Sequence, residues 1–189
     1  MKNYEPDIIN ALKMLRSGGI ILYPTDTIWG IGCDATNANS VQKIYHLKKR
    51  EEKKSLIILV DDTKMINRYV LKPPEKILSF ISSAARPTTA IFSNAVNLPS
   101  QLVNEDGTIA IRIVKDDFCR ELIQQLQKPL VSTSANISGE KFPQNFNDVS
   151  EDIKEGVDYI VQHRQNDFSK HAPSSIIKIN EKNEIEFIR

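Results

Sequence analysis

The amino-acid sequence predicts an α/β fold in which helices flank a twisted mixed sheet, with residues 1–189 forming a single domain. Short continuous apolar runs, such as Ile20 to Tyr23 and Leu56 to Val60, read as strands buried on both faces. Amphipathic stretches at helical spacing lie between such runs, and two alternating segments at the end of the chain must pair as an antiparallel hairpin. The two kinds of segment intermingle along the whole length without a repeat, a low-complexity tract or a domain boundary.

Ile8, Leu12 and Leu15 recur at helical spacing behind Pro6-Asp7, and Gly18-Gly19 ends the pattern, which predicts a helix over 6–17. The strand Ile20 to Tyr23 closes at Pro24, and a polar turn, Thr25-Asp26-Thr27, follows. Asn39-Ser40 is placed to cap a helix whose apolar side is Val41, Ile44 and Tyr45. Leu56 to Val60 is a second buried strand, and Pro73-Pro74 opens a helix carrying Ile77, Phe80 and Ile81. Thr88 to Phe92 reads as extended. The alternation from Thr108 to Val114 puts Thr108, Ala110 and Arg112 on one small, polar face. Asp116 or Asp117 caps a helix with Phe118, Leu122, Ile123 and Leu126, Pro129 to Thr133 is a strand, and Val149 and Ile153 mark a shorter helix. Ser175 to Ile179 and Glu184 to Ile188 form the closing hairpin.

Composition excludes several classes of function. Twenty-five Lys and Arg against 24 Asp and Glu leave a net charge of +1, so no global field favours a polyanion and any anion site must be local. No apolar run approaches the roughly 20 residues of a membrane span, and the first residues carry no export signal, which reads as a cytoplasmic protein. Cys33 and Cys119 stand alone as two buried thiols. GxxxxGK(S/T), GxGxxG and GxSxG are all missing, and His46, His163 and His171 have no spacing that pairs them as metal ligands or bases, so no metal-ligating residue is assigned.

Three polar clusters remain. Between Lys43 and Lys54 six Lys and Arg face two Glu, read either as a solvated helix end or as a rim where Lys48 and Arg50 clamp phosphate. Ser132 to Gly139 is either a self-satisfied turn or a nucleotide or amino-acid cradle. Tyr23 to Thr27 carries the same ambiguity, with Asp26 read as a turn cap and Trp29 as packing. If their strands share one sheet, the clusters converge where open α/β sheets bind ligands.

In this order the clusters resemble the YrdC family of L-threonylcarbamoyladenylate synthases, also called TsaC. Its YPT(E/D)TVYGLG motif is similar to Tyr23 to Gly32, KxRxxxKPL to Lys48, Arg50, Lys54 and Leu56 with Ser55 in place of proline, and TVAVR to Thr108 to Arg112. SANxSG stands intact as Ser134 to Gly139, and Ser174 to Lys178 is similar to a late STIVD strand. Ala85-Arg86-Pro87-Thr88-Thr89 departs from the family's PGP(L/V)T segment, and Lys178 replaces an acidic residue.

The resemblance implies a YrdC-like fold with a concave basic cleft, in the family's short single-domain form. It also implies an enzyme that joins L-threonine, bicarbonate or CO₂ and ATP, with Mg²⁺ accompanying the nucleotide, into threonylcarbamoyl-adenylate and pyrophosphate. A separate transferase would use that product to modify a tRNA adenosine. By the motif matches, Lys48 and Arg50 would be catalytic and hold the phosphates together with Lys54, while Thr108, Ser134, Asn136 and Arg189 would bind the nucleotide. Thr27, Arg112 and Ser174 would bind threonine, and no general base is singled out. As rim residues, Lys48 and Arg50 should be replaceable without loss of stability. The alternative is an RNA-binding module of the same fold, using the Lys48 to Lys54 run without forming an adenylate. A carbamoyl-adenylate domain like that within HypF proteins belongs to much longer chains.

Overall fold

The computed structural model describes residues 3–51, 56–169, 172–180 and 182–189. Helix α1 (Glu5–Arg16) buries Ile8, Ala11, Leu12 and Leu15 along one stripe. It ends as the glycines predict: Gly18 takes φ +79°, and the Gly19 N–H donates to the Met14 carbonyl at 2.8 Å. Strand β1 (Ile21–Tyr23) turns back into β2 (Gly30–Gly32), antiparallel to it, so residues 24–29 become the loop of a hairpin.

Helix α2 (Ala38–Leu47) is capped by Asn37 rather than by Asn39 or Ser40: Asn37 Oδ1 accepts the N–H groups of both. Ser40 is turned inward, its hydroxyl donating to the Gly18 carbonyl at 3.0 Å, which latches α2 to the end of α1. Next come β3 (Ile57–Val60), a short α3 (Thr63–Ile66), α4 (Glu75–Ser83), β4 (Thr88–Phe92) and β5 (Ile109–Ile113). Helix α5 (Asp117–Leu126) takes Asp116 as its cap, the carboxylate accepting the Cys119 N–H at 2.8 Å. The chain closes with β6 (Leu130–Ser134), α6 (Glu151–Glu155), β7 (Tyr159–Ile160) and the hairpin of β8 (Ser175–Ile179) and β9 (Ile185–Phe187).

The nine strands among the described residues form one sheet in the order β7-β1-β2-β6-β3-β5-β4-β8-β9, mixed because β1/β7, β3/β5 and β4/β8 run parallel and the other pairs antiparallel. Register separates its two faces, since partners across a ladder share a face. Ile58, Ile111, Val131 and Ala90 lie side by side and are fully buried, on one face of the sheet. On the other face Ile57 stands between Ala110 and Ser132, and Arg112 between Leu59 and Thr89. That second face carries polar and small side chains at the centre of the sheet. Among the described residues no helix is long and apolar enough to cross a membrane.

Candidate active site

The polar turn predicted after β1 is the tip of the β1–β2 hairpin, and its shape is set by its own hydroxyls. Thr25 Oγ1 donates to the Ile28 carbonyl at 2.8 Å, accepts the Thr27 N–H at 3.0 Å and lies 2.9 Å from Thr27 Oγ1. The turn is also held from outside. Cys119 Sγ on α5 donates to the Pro24 carbonyl, and Arg164, itself paired with the cap Asp116 at 2.6 Å, reaches the Thr25 carbonyl. Nothing in the spacing of the sequence links Arg164 to this turn, 139 residues away.

Arg112, second from the end of β5, is 2% exposed and faces the polar side of the sheet. Its Nη2 lies 3.1 Å from Asp26 Oδ1. The turn-cap reading of Asp26 is thereby corrected: neither carboxylate oxygen accepts a hydrogen bond, and its charge is paired with β5. Thr89, opposite Arg112 on β4, shares a hydrogen bond of 2.8 Å with the Ser174 hydroxyl just before β8. The terminal hairpin returns Arg189 to the same place: its Nη2 donates to the Ser174 carbonyl at 3.1 Å, and its own carbonyl accepts the Ile176 N–H.

Lys48 at the end of α2 differs from its expected place on a solvated rim. It is 1% exposed, and its ammonium donates to the carbonyls of Ser134 and Asn136. Its own carbonyl accepts the Ser138 N–H at 2.8 Å. Burial, reinforced by the charge of Arg50 and opposed by Glu140, pushes the ammonium down to about 7. Lys48 is thus a staple between α2 and the loop after β6, and the expectation that it is replaceable without loss of stability is corrected.

A cleft of about 350 Å³ lies over the polar face, and Thr27, Arg50, Arg112, Ser134, Ser174 and Arg189 all line it. Six of the ten residues expected to bind substrate are therefore brought together from six separate segments. The other four are placed differently. Lys48 lies behind the wall. Asn136 spends its amide nitrogen on the Ile137 and Glu140 carbonyls, so it shapes its own loop. Thr108 lies outside the cleft lining, just before β5 and four residues from Arg112, and its hydroxyl is engaged by Asp106 at 2.6 Å and by Asn104. Lys54 and Ser55 lie outside the described residues.

Ser132 and Phe142 also line the cleft, Phe142 with 38% of its surface open. The serine sat within a recognised cluster, whereas no sequence signal marked the phenylalanine. The two described histidines stay out of the site. His46 is exposed, His163 packs against Tyr4 and Phe118, and His171 is outside the described residues. Cys33 and Cys119 are buried free thiols, and Trp29 packs on Phe146 as expected of a core aromatic.

Chemically, the cleft offers three guanidinium groups and a row of hydroxyls, with no side-chain carboxylate, imidazole or thiol among its described lining residues. Such a set recognises carboxylates and phosphates by planar, charge-assisted hydrogen bonds. It is suited to holding several anionic groups together and orienting them.

Comparison with known proteins gives the family. The family Sua5_yciO_yrdC, described as telomere recombination, matches residues 13–189. The threonylcarbamoyl-AMP synthase of Pseudoalteromonas translucida is 33% identical over 160 residues, covering 83% of this chain and 86% of that protein. The threonylcarbamoyl-AMP synthase of Coxiella burnetii is 33% identical over 142 residues, covering 74% of this chain and 76% of that protein. Among solved structures, that of P. abyssi Sua5 complexed with L-threonine has a TM-score of 0.86 at 24% identity, a likeness of fold. It covers 98% of this chain and 54% of the Sua5 chain, so the present chain spans about half of that longer protein. Fold, ordered motifs and relatives together place the chain in the Sua5/YciO/YrdC family.

Proposed function

We propose that the protein is a threonylcarbamoyl-AMP synthase, a nucleotidyltransferase that joins L-threonine, bicarbonate or CO₂ and ATP into threonylcarbamoyl-adenylate with release of pyrophosphate. The observation that carries this reading is the convergence of Thr27, Arg112 and Ser174 with Arg50, Ser134 and Arg189 on one cleft. It stands in a chain one-third identical to relatives bearing that name.

In this reading Arg112 takes the threonine carboxylate, and Thr27 and Ser174 hold the amino acid beside it. Arg50 and Arg189 neutralise phosphate oxygens, and Ser134 hydrogen-bonds the nucleotide. The threonine amine, its protons released to solvent, adds to CO₂ to form the N–C bond of a carbamate; a carbamate oxygen then approaches the α-phosphorus in line, and the P–O bond to pyrophosphate breaks. The side chains accelerate this by alignment and by stabilising negative charge that shifts onto the leaving group. Lys48 and Asn136 serve the reaction indirectly, by fixing the loop that presents Ser134.

Mg²⁺ would arrive with the triphosphate and neutralise its oxygens. Among the described residues no cluster of three or more His, Cys, Asp or Glu could hold a metal ion, and the guanidinium and hydroxyl groups of the cleft suit a metal carried by the nucleotide. The adenylate would pass to a separate transferase acting on tRNA, in the cytoplasm. Two described cations of the basic run are not free to serve the RNA-binding alternative, because Lys48 is buried and Lys43 is engaged with the Gly18 carbonyl, while Lys49 is exposed.

Incubation with ¹³C-bicarbonate, L-threonine and MgATP tests the reading. The expected product is an adenylate whose mass rises by the single label. An unlabelled adenylate, or none, would overturn it.

A further inference from the structure

Asp26 and Arg112 form a charge pair beside the cleft that leaves polar atoms on both partners unsatisfied. The two side chains are 12% and 3% exposed and 3.1 Å apart at their nearest atoms. Yet both carboxylate oxygens of Asp26 and the Nε of Arg112 are buried without a hydrogen-bond partner. Among the described residues Asp61 Oδ1 is the one other buried carboxylate oxygen without a partner, whereas the two aspartates buried as whole residues are engaged. Asp7 accepts from Tyr159 Oη and from the N–H groups of Gln162 and His163, and Asp34 accepts from Thr36 and Lys128. Buried polar groups in folded proteins are hydrogen-bonded with few exceptions, and the exceptions call for a cause.

We propose that this pair receives the zwitterionic head of an α-amino acid, with Arg112 taking the carboxylate and Asp26 the α-ammonium group. The inference rests on the reading of the cleft as a threonine site and adds a residue to it: Asp26 makes the site demand an amino group. An α-amino acid carries both charges on adjacent groups, so its entry replaces one poorly aligned internal pair with two external ones. No uncompensated charge is left buried. Neither oxygen of Asp26 is open to solvent, so the ammonium group reaches it as the Arg112 guanidinium turns toward the incoming carboxylate. The loop can hold Asp26 in place throughout, because its neighbours Thr25 and Thr27 are hydrogen-bonded to each other and Thr25 is bonded to Ile28. Sites that bond a substrate group discriminate strongly against the analogue lacking it, since the protein's own polar group is then stranded.

Calorimetric titration with L-threonine and with 3-hydroxybutyrate, the same molecule without its amino group, separates this role from a merely supporting one. The unaltered protein should bind threonine at least about tenfold more tightly than 3-hydroxybutyrate. Asp26→Asn should lose about tenfold or more for threonine while its affinity for 3-hydroxybutyrate stays within about threefold, so that the discrimination collapses. Asp26→Glu, which keeps the charge, should retain the preference. An equal loss for both ligands in Asp26→Asn would make Asp26 only a strut for Arg112, and a gain for both would make it a plug; either overturns the inference. Should Asp26→Asn melt before titration, the unaltered protein and Asp26→Glu still decide, because a ratio near one in either overturns it. Failure of the unaltered protein to bind threonine at all would instead remove the functional reading on which the inference stands.

Discussion

Arg112 and Lys48 are both buried cations at the ends of secondary-structure elements, yet their surroundings give them opposite tasks. Arg112 lines the cleft with donor capacity left over, whereas Lys48 gives its ammonium to two backbone carbonyls. Arg112→Lys should therefore raise the KM for threonine by about tenfold or more while leaving that for ATP within about twofold, since a planar fork is lost from one substrate only. Steady-state kinetics with each substrate varied in turn checks this; equal changes for both would remove the assignment. Lys48→Met should destabilise the fold by about 1–3 kcal/mol, because two carbonyls lose their donor in a buried place. The pH dependence has a definite sign. With the folded ammonium at about 7 and the unfolded one at its ordinary 10.5, the unfolded chain binds more protons between those values. This group thus makes stability rise with pH from about 7 toward 10.5, and that rise should be missing from the difference curve of Lys48→Met in thermal melts. The KxR spacing was visible in the sequence, but which member is turned inward was not, because burial of the lysine depends on a loop 86 residues away.

At the scale of elements, the helices were legible because their apolar residues recur at helical spacing, and the α1 stop and the Asp116 cap carry local signals. The α2 cap was misplaced by two positions because three residues able to cap follow closely in Asn37-Ala38-Asn39-Ser40, and only the latch from Ser40 to Gly18 decides among them. Strand β2 had no readable pattern, since two of its three residues are glycine, and β7 is only two residues long. Packing explains the glycine: a Cβ on Gly32 would stand 2.5 Å from the Val131 carbonyl and 2.7 Å from the Tyr23 ring. Gly32→Ala should cost about 1–3 kcal/mol by displacing β6. At about 2–4 °C per kcal/mol for a chain of this size, the melting temperature should fall visibly. Because β6 carries Ser132 and Ser134, activity should fall with it, and an alanine variant with an unchanged melt would show that β6 and the Tyr23 ring pack less closely on Gly32 than described.

For the molecule as a whole, the strand order explains why a site assembled from six segments exists. The β1–β2 hairpin reaches β3 and β5 only through β6, and the C-terminal hairpin arrives from the other side through β4, so the first and last functional residues, Thr27 and Arg189, line the same cleft. Motif order gave the family, the intermingled helices and strands with the closing hairpin gave the sheet class, and the convergence of strand-end clusters followed once the strands shared one sheet. It could not give Arg164, Thr89 or the Asp26 pairing, which are contacts between distant segments with no spacing of their own. The central claim is that this cleft couples threonine and bicarbonate to cleavage of ATP. It is tested most directly by pyrophosphate release from MgATP, with L-threonine and bicarbonate each omitted in turn and L-serine as the control. Release that requires both, and that falls sharply with serine, is the predicted result; release indifferent to either omission, or none from folded protein, would contradict it.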